Sequence, residues 1–346
     1  MKRLKMSTTT KVVLGFTDGV EHELLVQPGH SVLDAALEGE VPILFQCRTG
    51  SCGSCLARLV EGKAEHRSGL AVSLLPGERE QGYRLLCATE PKGECRFSVA
   101  YDSAAGAGRP IEAKCFVNAV ERIANDVIRF ELELAEGYSM DFRPGQFIQI
   151  KVPGTEVVRS YSMATMASDL PRIELLIRIL PGGIMSGWLE NQAKPDDVVE
   201  IRGPYGQFFL KEKVREPHIM IAGGTGLAPM LSMLAALRRV PGRKPKTILS
   251  FGCQSPEGLF ALDQLDLHQQ WSPTLQVRIA VDRGTPPAGV QVGNPVEALT
   301  PADGLTPDSV AYLCGPPGMI AAARAHLEAL GLAPGNIFAE QFVASN

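Results

Sequence analysis

Four cysteines in the first quarter of the chain, Cys47, Cys52, Cys55 and Cys87, have the types and spacing that speak most directly of chemistry. They read C-x4-C-x2-C with a fourth cysteine after 31 intervening residues, an arrangement that holds a [2Fe–2S] cluster. In the loop Cys47-Arg48-Thr49-Gly50-Ser51-Cys52-Gly53-Ser54-Cys55 each thiolate must turn inward while backbone N–H groups face sulfur. Gly50 and Gly53 permit the positive φ angles of so tight a wrap, and Ser51 and Ser54 are small enough not to crowd it. A zinc site usually pairs two short knuckles, and a disulfide framework needs an oxidising compartment to which nothing in the sequence points. The spacing therefore implies a one-electron carrier. Cys95, Cys115 and Cys253 lie in apolar strand-like runs and read as small buried hydrophobes. The six histidines show no ligand spacing and read as structural.

Two further groups of residues suit nucleotides. Arg159-Ser160-Tyr161-Ser162 closes one strand-like run, and Pro181-Gly182-Gly183-Ile184-Met185-Ser186 opens a short helix. Together they offer a cation for a diphosphate, hydroxyls for a ring edge, and a helix N-terminus whose free N–H groups favour phosphate oxygens. Ala222-Gly223-Gly224-Thr225-Gly226-Leu227-Ala228-Pro229 joins an apolar strand to an apolar helix, and Cys314-Gly315-Pro316-Pro317-Gly318-Met319 does the same further on. Both turns fall at carboxyl ends of strands, where open α/β sheets bind ligands and glycine lets a diphosphate approach the backbone.

The elements that must position these residues fall into three regions. Residues 1–102, with 1–10 as a tail, begin with alternating strands at Lys11–Thr17 and Glu21–Gln27 joined at Asp18-Gly19, followed by a helix start at Ser31-x-x-Asp34. This suits a small α+β module of the β-grasp kind. Residues 103–110, rich in Ala and Gly, read as a flexible linker. Residues 111–211 are strand-like runs punctuated by Pro-Gly turns, as in an antiparallel β-barrel. Residues 212–346 alternate strands with helices near Leu227–Arg239 and Pro317–Leu330, the βα pattern of a parallel sheet.

These motifs resemble those of the ferredoxin–NADP reductase superfamily, preceded by a plant-type ferredoxin. In particular, the module order resembles the reductase components of benzoate, toluate and anthranilate dioxygenases. The resemblance implies that Cys47, Cys52, Cys55 and Cys87 ligate the [2Fe–2S] cluster. It implies FAD on Arg159, Ser160, Tyr161, Ser162, Ile177, Arg178, Gly183, Met185, Ser186 and Phe342, with Arg159 on the pyrophosphate, Tyr161 along the isoalloxazine and Ser162 near flavin N5. It implies nicotinamide nucleotide on Gly223, Gly224, Thr225, Gly226, Pro229, Cys314, Gly315, Pro316 and Pro317, with Cys314 a soft contact near the nicotinamide. The terminal segment Phe338–Val343 is similar to the E-K-F ending of oxygenase reductases, with Gln341 where Lys is usual.

The stretch Cys253-Gln254-Ser255-Pro256-Glu257, past the second strand of the last region, has no cation to clamp a 2′-phosphate, which favours NADH. Arg278 and Arg283, at or beyond the third strand, keep NADPH as the lesser option. The expected activity is hydride transfer from NADH to FAD, then single electrons through the cluster to a terminal oxygenase for aromatic hydroxylation. A Rieske partner is favoured and a di-iron one is possible. The alternatives are a reductase serving another acceptor and a non-catalytic redox sensor. No acid–base residue is required.

Bulk properties agree with this reading. The 346 residues carry a formal net charge of −4, with 45% hydrophobic and 21% charged residues, so no strong field draws the chain to nucleic acid or anionic lipid. The apolar stretch Ile219–Leu237 is interrupted by Gly223-Gly224-Thr225-Gly226 and Pro229, which argues against a membrane span. The start Met1–Lys5 runs into Ser7-Thr8-Thr9-Thr10 and lacks the apolar core of a signal peptide. A cytoplasmic monomer is expected.

Overall fold

The structure is a computed structural model that describes residues 9–50, 52–67, 70, 72–74, 76–106, 110–211 and 215–342. It divides into two compact units, one running through Pro110 and including Tyr205–Gln207, the other holding the remainder.

In the first unit, β1 (Thr10–Gly15) and β2 (Glu21–Val26) form the expected hairpin, turning where Gly19 takes φ +82°. Helix α1 (Val32–Glu38) follows, then β3 (Leu56–Glu61), β4 (Ala64–His66), α2 (Pro76–Glu80), β5 (Tyr83–Leu85), β6 (Thr89–Pro91) and β7 (Cys95–Ser98). The main sheet runs β2-β1-β7-β3-β5, with β1 and β7 parallel. The start of α1 is fixed by a capping box. Asp34 N donates to Ser31 Oγ at 3.1 Å and Ser31 N donates to Asp34 Oδ2 at 3.0 Å, which together stabilise the helix by about 1 kcal/mol. Its buried face is Val32, Leu33, Ala35 and Ala36. The tract expected to be a flexible linker opens with order. Ser103–Gly106 is a 3-10 turn, and Ser103 donates from N and Oγ to Asp18 Oδ2 at 3.0 and 2.6 Å.

The second unit begins with a β-barrel. Its strands are β8 (Ile111–Ala124), β9 (Val127–Leu134), β10 (Phe147–Lys151), β11 (Val158–Ser162), β12 (Arg172–Arg178) and β13 (Val198–Tyr205), with helix α3 (Ile184–Asn191) between the last two. The antiparallel order β11-β10-β13-β8-β9-β12 is closed by a bridge between Met163 and Leu175, so the two edge strands meet. Helix α3 sends Met185, Trp188 and Leu189 into the barrel core, where Trp188 meets Phe130 edge-on at 5.9 Å. That burial fixes where the helix N-terminus points.

The rest of the unit is a parallel sheet of β14 (His218–Gly223), β15 (Thr247–Cys253), β16 (Leu275–Val281), β17 (Val290–Val292), β18 (Val310–Gly315) and β19 (Ile337–Gln341). Helices α4 (Leu227–Arg239), α5 (Leu262–Trp271) and α6 (Pro317–Ala329) connect them. The order β17-β16-β15-β14-β18-β19 reverses between β14 and β18. A reversal of this kind opens a crevice at the carboxyl ends of the two strands, and both glycine-containing turns lie there. Among the described residues, no helix is long and apolar enough to cross a membrane.

Candidate cofactor sites

The four cysteines stand as two pairs. Cys47 N donates to Cys52 Sγ at 3.4 Å and Cys52 N returns a bond to Cys47 Sγ at 3.3 Å, while Cys87 N donates to Cys55 Sγ at 3.5 Å. Thr49 N adds a third bond to the first pair, reaching Cys47 Sγ at 3.4 Å. The positive φ values expected of the loop are present at Gly50 (+84°) and Gly53 (+75°), and Arg48 shares them at +58°. Ser51 lies outside the described residues. Among the described residues no three His, Cys, Asp or Glu side chains gather as a single-ion site. Two thiol pairs, each receiving backbone N–H groups at sulfur, fit a two-iron cluster taking two thiolates per iron. The bond to Cys47 and burial push the Cys52 thiol up. Cys55 is raised by its bond to Cys87 and by burial, whereas Cys87 is lowered by that same bond. Cys87 rides on the Leu86–Ala88 turn, anchored where Leu86 N donates to Cys55 O at 3.0 Å.

The barrel distributes the expected flavin residues unevenly. Arg159 and Tyr161 are half-buried on β11 and Ser160 is exposed. Ile177 (1% exposed) and Met185 (3%) belong to the barrel core, so what they can offer a ligand is backbone. Arg178 donates from Nε to Asp126 Oδ2 at 2.9 Å. Ser186 is buried and receives Leu180 N at 2.9 Å, so its hydroxyl shapes the Pro181-Gly182-Gly183 turn from inside. Gly182 takes φ +72° with open space on its Cβ side, and Gly183 caps α3. An exposed turn feeding a helix N-terminus suits a diphosphate.

In the α/β region the glycines do a job the sequence did not reveal. A Cβ on Gly226 would overlap the Cys314 carbonyl, and one on Gly223 would lie 2.7 Å from Met319 Sδ. These two glycines let the two turns approach each other. Gly224, at φ +54° with nothing within 4 Å of a Cβ position, is the one facing open space. Thr225 and Pro229 are buried, Gly315 is buried at φ +152°, and Pro317 opens α6 with Pro316 exposed before it. Pro at the first helical position loses no bond, since that N–H has no intrahelical partner.

Glu340 was not singled out from sequence. Ser162 Oγ donates to Glu340 Oε2 at 3.0 Å, across 178 positions of chain. Parallel pairing of β18 with β19 sets Glu340 beside Cys314. Burial pushes the Glu340 carboxyl up to about 7, and the Ser162 hydroxyl pulls it partly back. Cys314 is fully buried, and burial together with the Glu340 charge raises its thiol well above the ordinary range. The thiol is held neutral, which makes it a poor nucleophile. Phe342 N donates to Gly315 O at 2.9 Å, which brings the terminal aromatic residue to the same strand end.

Arg278 does not remain available for a 2′-phosphate. Its guanidinium grips Asp303 through Nη1 to Oδ2 at 2.8 Å and through Nη2 to Oδ1. Arg283 stays exposed, its backbone N donating to Gln254 O at 3.1 Å.

A β-grasp cysteine loop, a closed barrel and a parallel sheet with its crevice define an iron–sulfur flavoprotein reductase. Family models agree domain by domain: a 2Fe-2S iron-sulfur cluster binding domain over residues 16–92, an oxidoreductase FAD-binding domain over 114–210, and an oxidoreductase NAD-binding domain over 220–325. The chain is 33% identical to the 2-halobenzoate 1,2-dioxygenase electron transfer component of Burkholderia cepacia over 96% of its own length and 97% of that protein's. It is 37% identical to methane monooxygenase component C of Methylosinus trichosporium, covering 76% of this chain and 78% of that one. Among solved structures, Amycolatopsis cytochrome P450 reductase GcoB superposes with a TM-score of 0.71 at 28% identity, over 97% of this chain and all of that one. The chain belongs to the family of oxygenase electron-transfer components that join a ferredoxin domain to FAD- and NAD-binding domains. It is an oxidoreductase whose cofactors are [2Fe–2S], FAD and nicotinamide nucleotide.

Proposed function

We propose that this chain is the NADH-dependent reductase of a terminal oxygenase, of the ring-hydroxylating Rieske type. The observation that carries the reading is the convergence of Ser162, Glu340 and Cys314 at the sheet crevice, in a chain that also holds two thiol pairs. When bound, NADH supplies two electrons as hydride, FAD exchanges electrons in pairs or singly, and the cluster takes one at a time.

The protein's part is positional. Arg159 and the N-terminus of α3 hold diphosphate, and Tyr161 supplies an aromatic face. Glu340 fixes the direction of the Ser162 hydroxyl by accepting its hydrogen bond. With its carboxyl near neutrality, Glu340 can hold or release a proton at Oε2 close to working pH. Buried Cys314 and half-buried Phe342 cover the strand end and limit water there. Engagement of Arg278 by Asp303 supports NADH over NADPH.

The Rieske assignment draws its support from near full-length similarity to a dioxygenase component. Reconstitution tests it, pairing the loaded chain with a purified Rieske dioxygenase and, separately, with a di-iron hydroxylase. NADH-dependent product with the first supports the reading. Turnover with only the second moves the acceptor to the di-iron class. A failure to oxidise NADH with any acceptor would leave a redox sensor as the better account.

A further inference from the structure

The β8–β9 hairpin ends in a two-residue turn, Asn125–Asp126, flanked by the Ala124–Val127 pair. One side of this turn holds the segment that leads into the Pro181-Gly182-Gly183 loop. Ile179 N donates to Asp126 O at 2.7 Å, and Arg178 Nε donates to Asp126 Oδ2 at 2.9 Å. Arg122 Nη1 donates to Asn125 O at 2.7 Å, while its Nη2 pairs with Glu190 on α3, the helix that Gly183 caps.

The other side of the turn holds the loop that follows β15. Asn125 N donates to Glu257 O at 3.1 Å, and Cys253 Sγ closes the same loop by donating to Gly258 O at 3.1 Å. Asp126 and Arg178 both act electrostatically on the Cys253 thiol, which burial raises to about 12. A two-residue hairpin turn is short and stiff. It therefore ties the loop before α3 to the loop after β15 through backbone groups, a route available whichever side chains the ligands touch.

We propose that the Asn125–Asp126 turn is a clasp coupling the two nucleotide loops, so that the ADP-ribose half of NADH held at 253–258 tightens FAD at 181–186, and the reverse. This rests on the proposed function and on reading the loop after β15, Cys253–Glu257, as the side that meets the adenosine ribose of NADH. Asn125, Asp126 and Arg122 are then positioning residues, and the coupling is reciprocal by thermodynamic linkage.

The test uses the flavin-free, cluster-loaded full chain, with ADP-ribose as the probe because it cannot transfer hydride. FAD affinity is read from flavin fluorescence with and without saturating ADP-ribose, and ADP-ribose binding itself is read by calorimetry. The parent chain should bind FAD at least about fivefold tighter with ADP-ribose present. Asn125→Pro removes the N–H that reaches Glu257, at a turn position where proline is tolerated. It should cut the coupling to under about twofold while FAD affinity without ADP-ribose stays within about twofold of the parent. Arg122→Gln, an exposed change, should reduce the coupling in the same direction and serves if the proline variant does not fold.

A purely structural role would weaken FAD equally with and without ADP-ribose, and that result overturns the clasp. So does undiminished coupling in both variants, or ADP-ribose that binds the parent without changing its FAD affinity. Absence of ADP-ribose binding to the parent would instead overturn the nucleotide placement on which the clasp depends.

Discussion

The cysteine loop and the crevice at the end of the parallel sheet solve the same problem, holding a redox group still, by opposite routes. In the loop, three of the four thiols fall within nine residues, and the support is backbone: N–H groups of Cys47, Thr49 and Cys52 turned to sulfur by residues at positive φ. At the crevice nothing is local. Ser162 comes from the barrel, Cys314 from β18 and Glu340 from β19. They meet because the barrel closes and because β18 and β19 pair in parallel. The first arrangement tolerates distant change and fails at single residues. The second depends on the packing of two layers and is tunable through buried charge.

The largest effect separates the two regions outright. Cys87→Ala should abolish the cluster's visible absorption and lower NADH-driven reduction of cytochrome c by about a hundredfold or more. Flavin reduction by NADH in the same variant should stay within about twofold, because the crevice is built independently. Stopped-flow traces at flavin wavelengths check this, and a comparable fall in flavin reduction would erase the distinction.

Ser162→Ala should do the reverse. It should slow flavin reduction by about a hundredfold, the lower end of the loss for one aimed hydrogen-bonding group at a reacting centre. The cluster's absorption and its reduction by dithionite should stay unchanged. Normal hydride transfer in this variant would remove Ser162 from the site.

Two titratable groups of the second unit sharpen the contrast through pH. His218 is fully buried and stacked on Tyr312 at 5.9 Å, and burial lowers its pKa to about 4. Unfolding lets it take up a proton, so its contribution is complete above pH 6.5 and lost as pH falls from 6.5 toward 4. The loss is on the order of 3 kcal/mol. Urea unfolding at pH 7 and pH 5 should show about 2 kcal/mol of that loss in the parent and less in His218→Phe. Equal losses in both would place the acid sensitivity elsewhere.

Glu340 acts with the opposite sign and, being half-buried, more weakly. Its folded pKa of about 7 exceeds the ordinary 4.5, so the folded chain holds the extra proton and stability falls as pH rises through that interval. Glu340→Gln should flatten that slope. It should also flatten the pH dependence of flavin reduction near neutrality, measured by stopped flow from pH 6 to 8. An unaltered profile would show that the carboxyl does not govern the step.

The same contrast explains what could be read in advance. Cys47, Cys52, Cys55 and Cys87 were legible because ligand spacing is a local property of chain. So was the start of α1, where Ser31 and Asp34 satisfy each other three residues apart. Helix α4 spans Leu227–Arg239 as expected, since its apolar run is long and bounded by glycine and Val240.

Glu340 escaped because no spacing rule links it to Ser162, and an acid next to the chain's end ordinarily reads as solvated. Gly223 and Gly226 read as room for a ligand. They also provide room for Met319 and the Cys314 carbonyl, a need that exists only once β14 and β18 are neighbours. Arg278 looked available until the fold delivered Asp303 to it. The supposed linker opens with a 3-10 turn because Asp18, far back in sequence, accepts two bonds from Ser103.

Electrons entering at the crevice should reach the cysteine loop within one chain. Anaerobic titration of the FAD- and cluster-loaded protein with NADH, followed by absorption and by electron paramagnetic resonance, follows that transfer. Flavin bands should bleach and the signal of a reduced [2Fe–2S] cluster should appear with NADH as the sole reductant. Bleached flavin beside a cluster that stays oxidised until dithionite is added would contradict it.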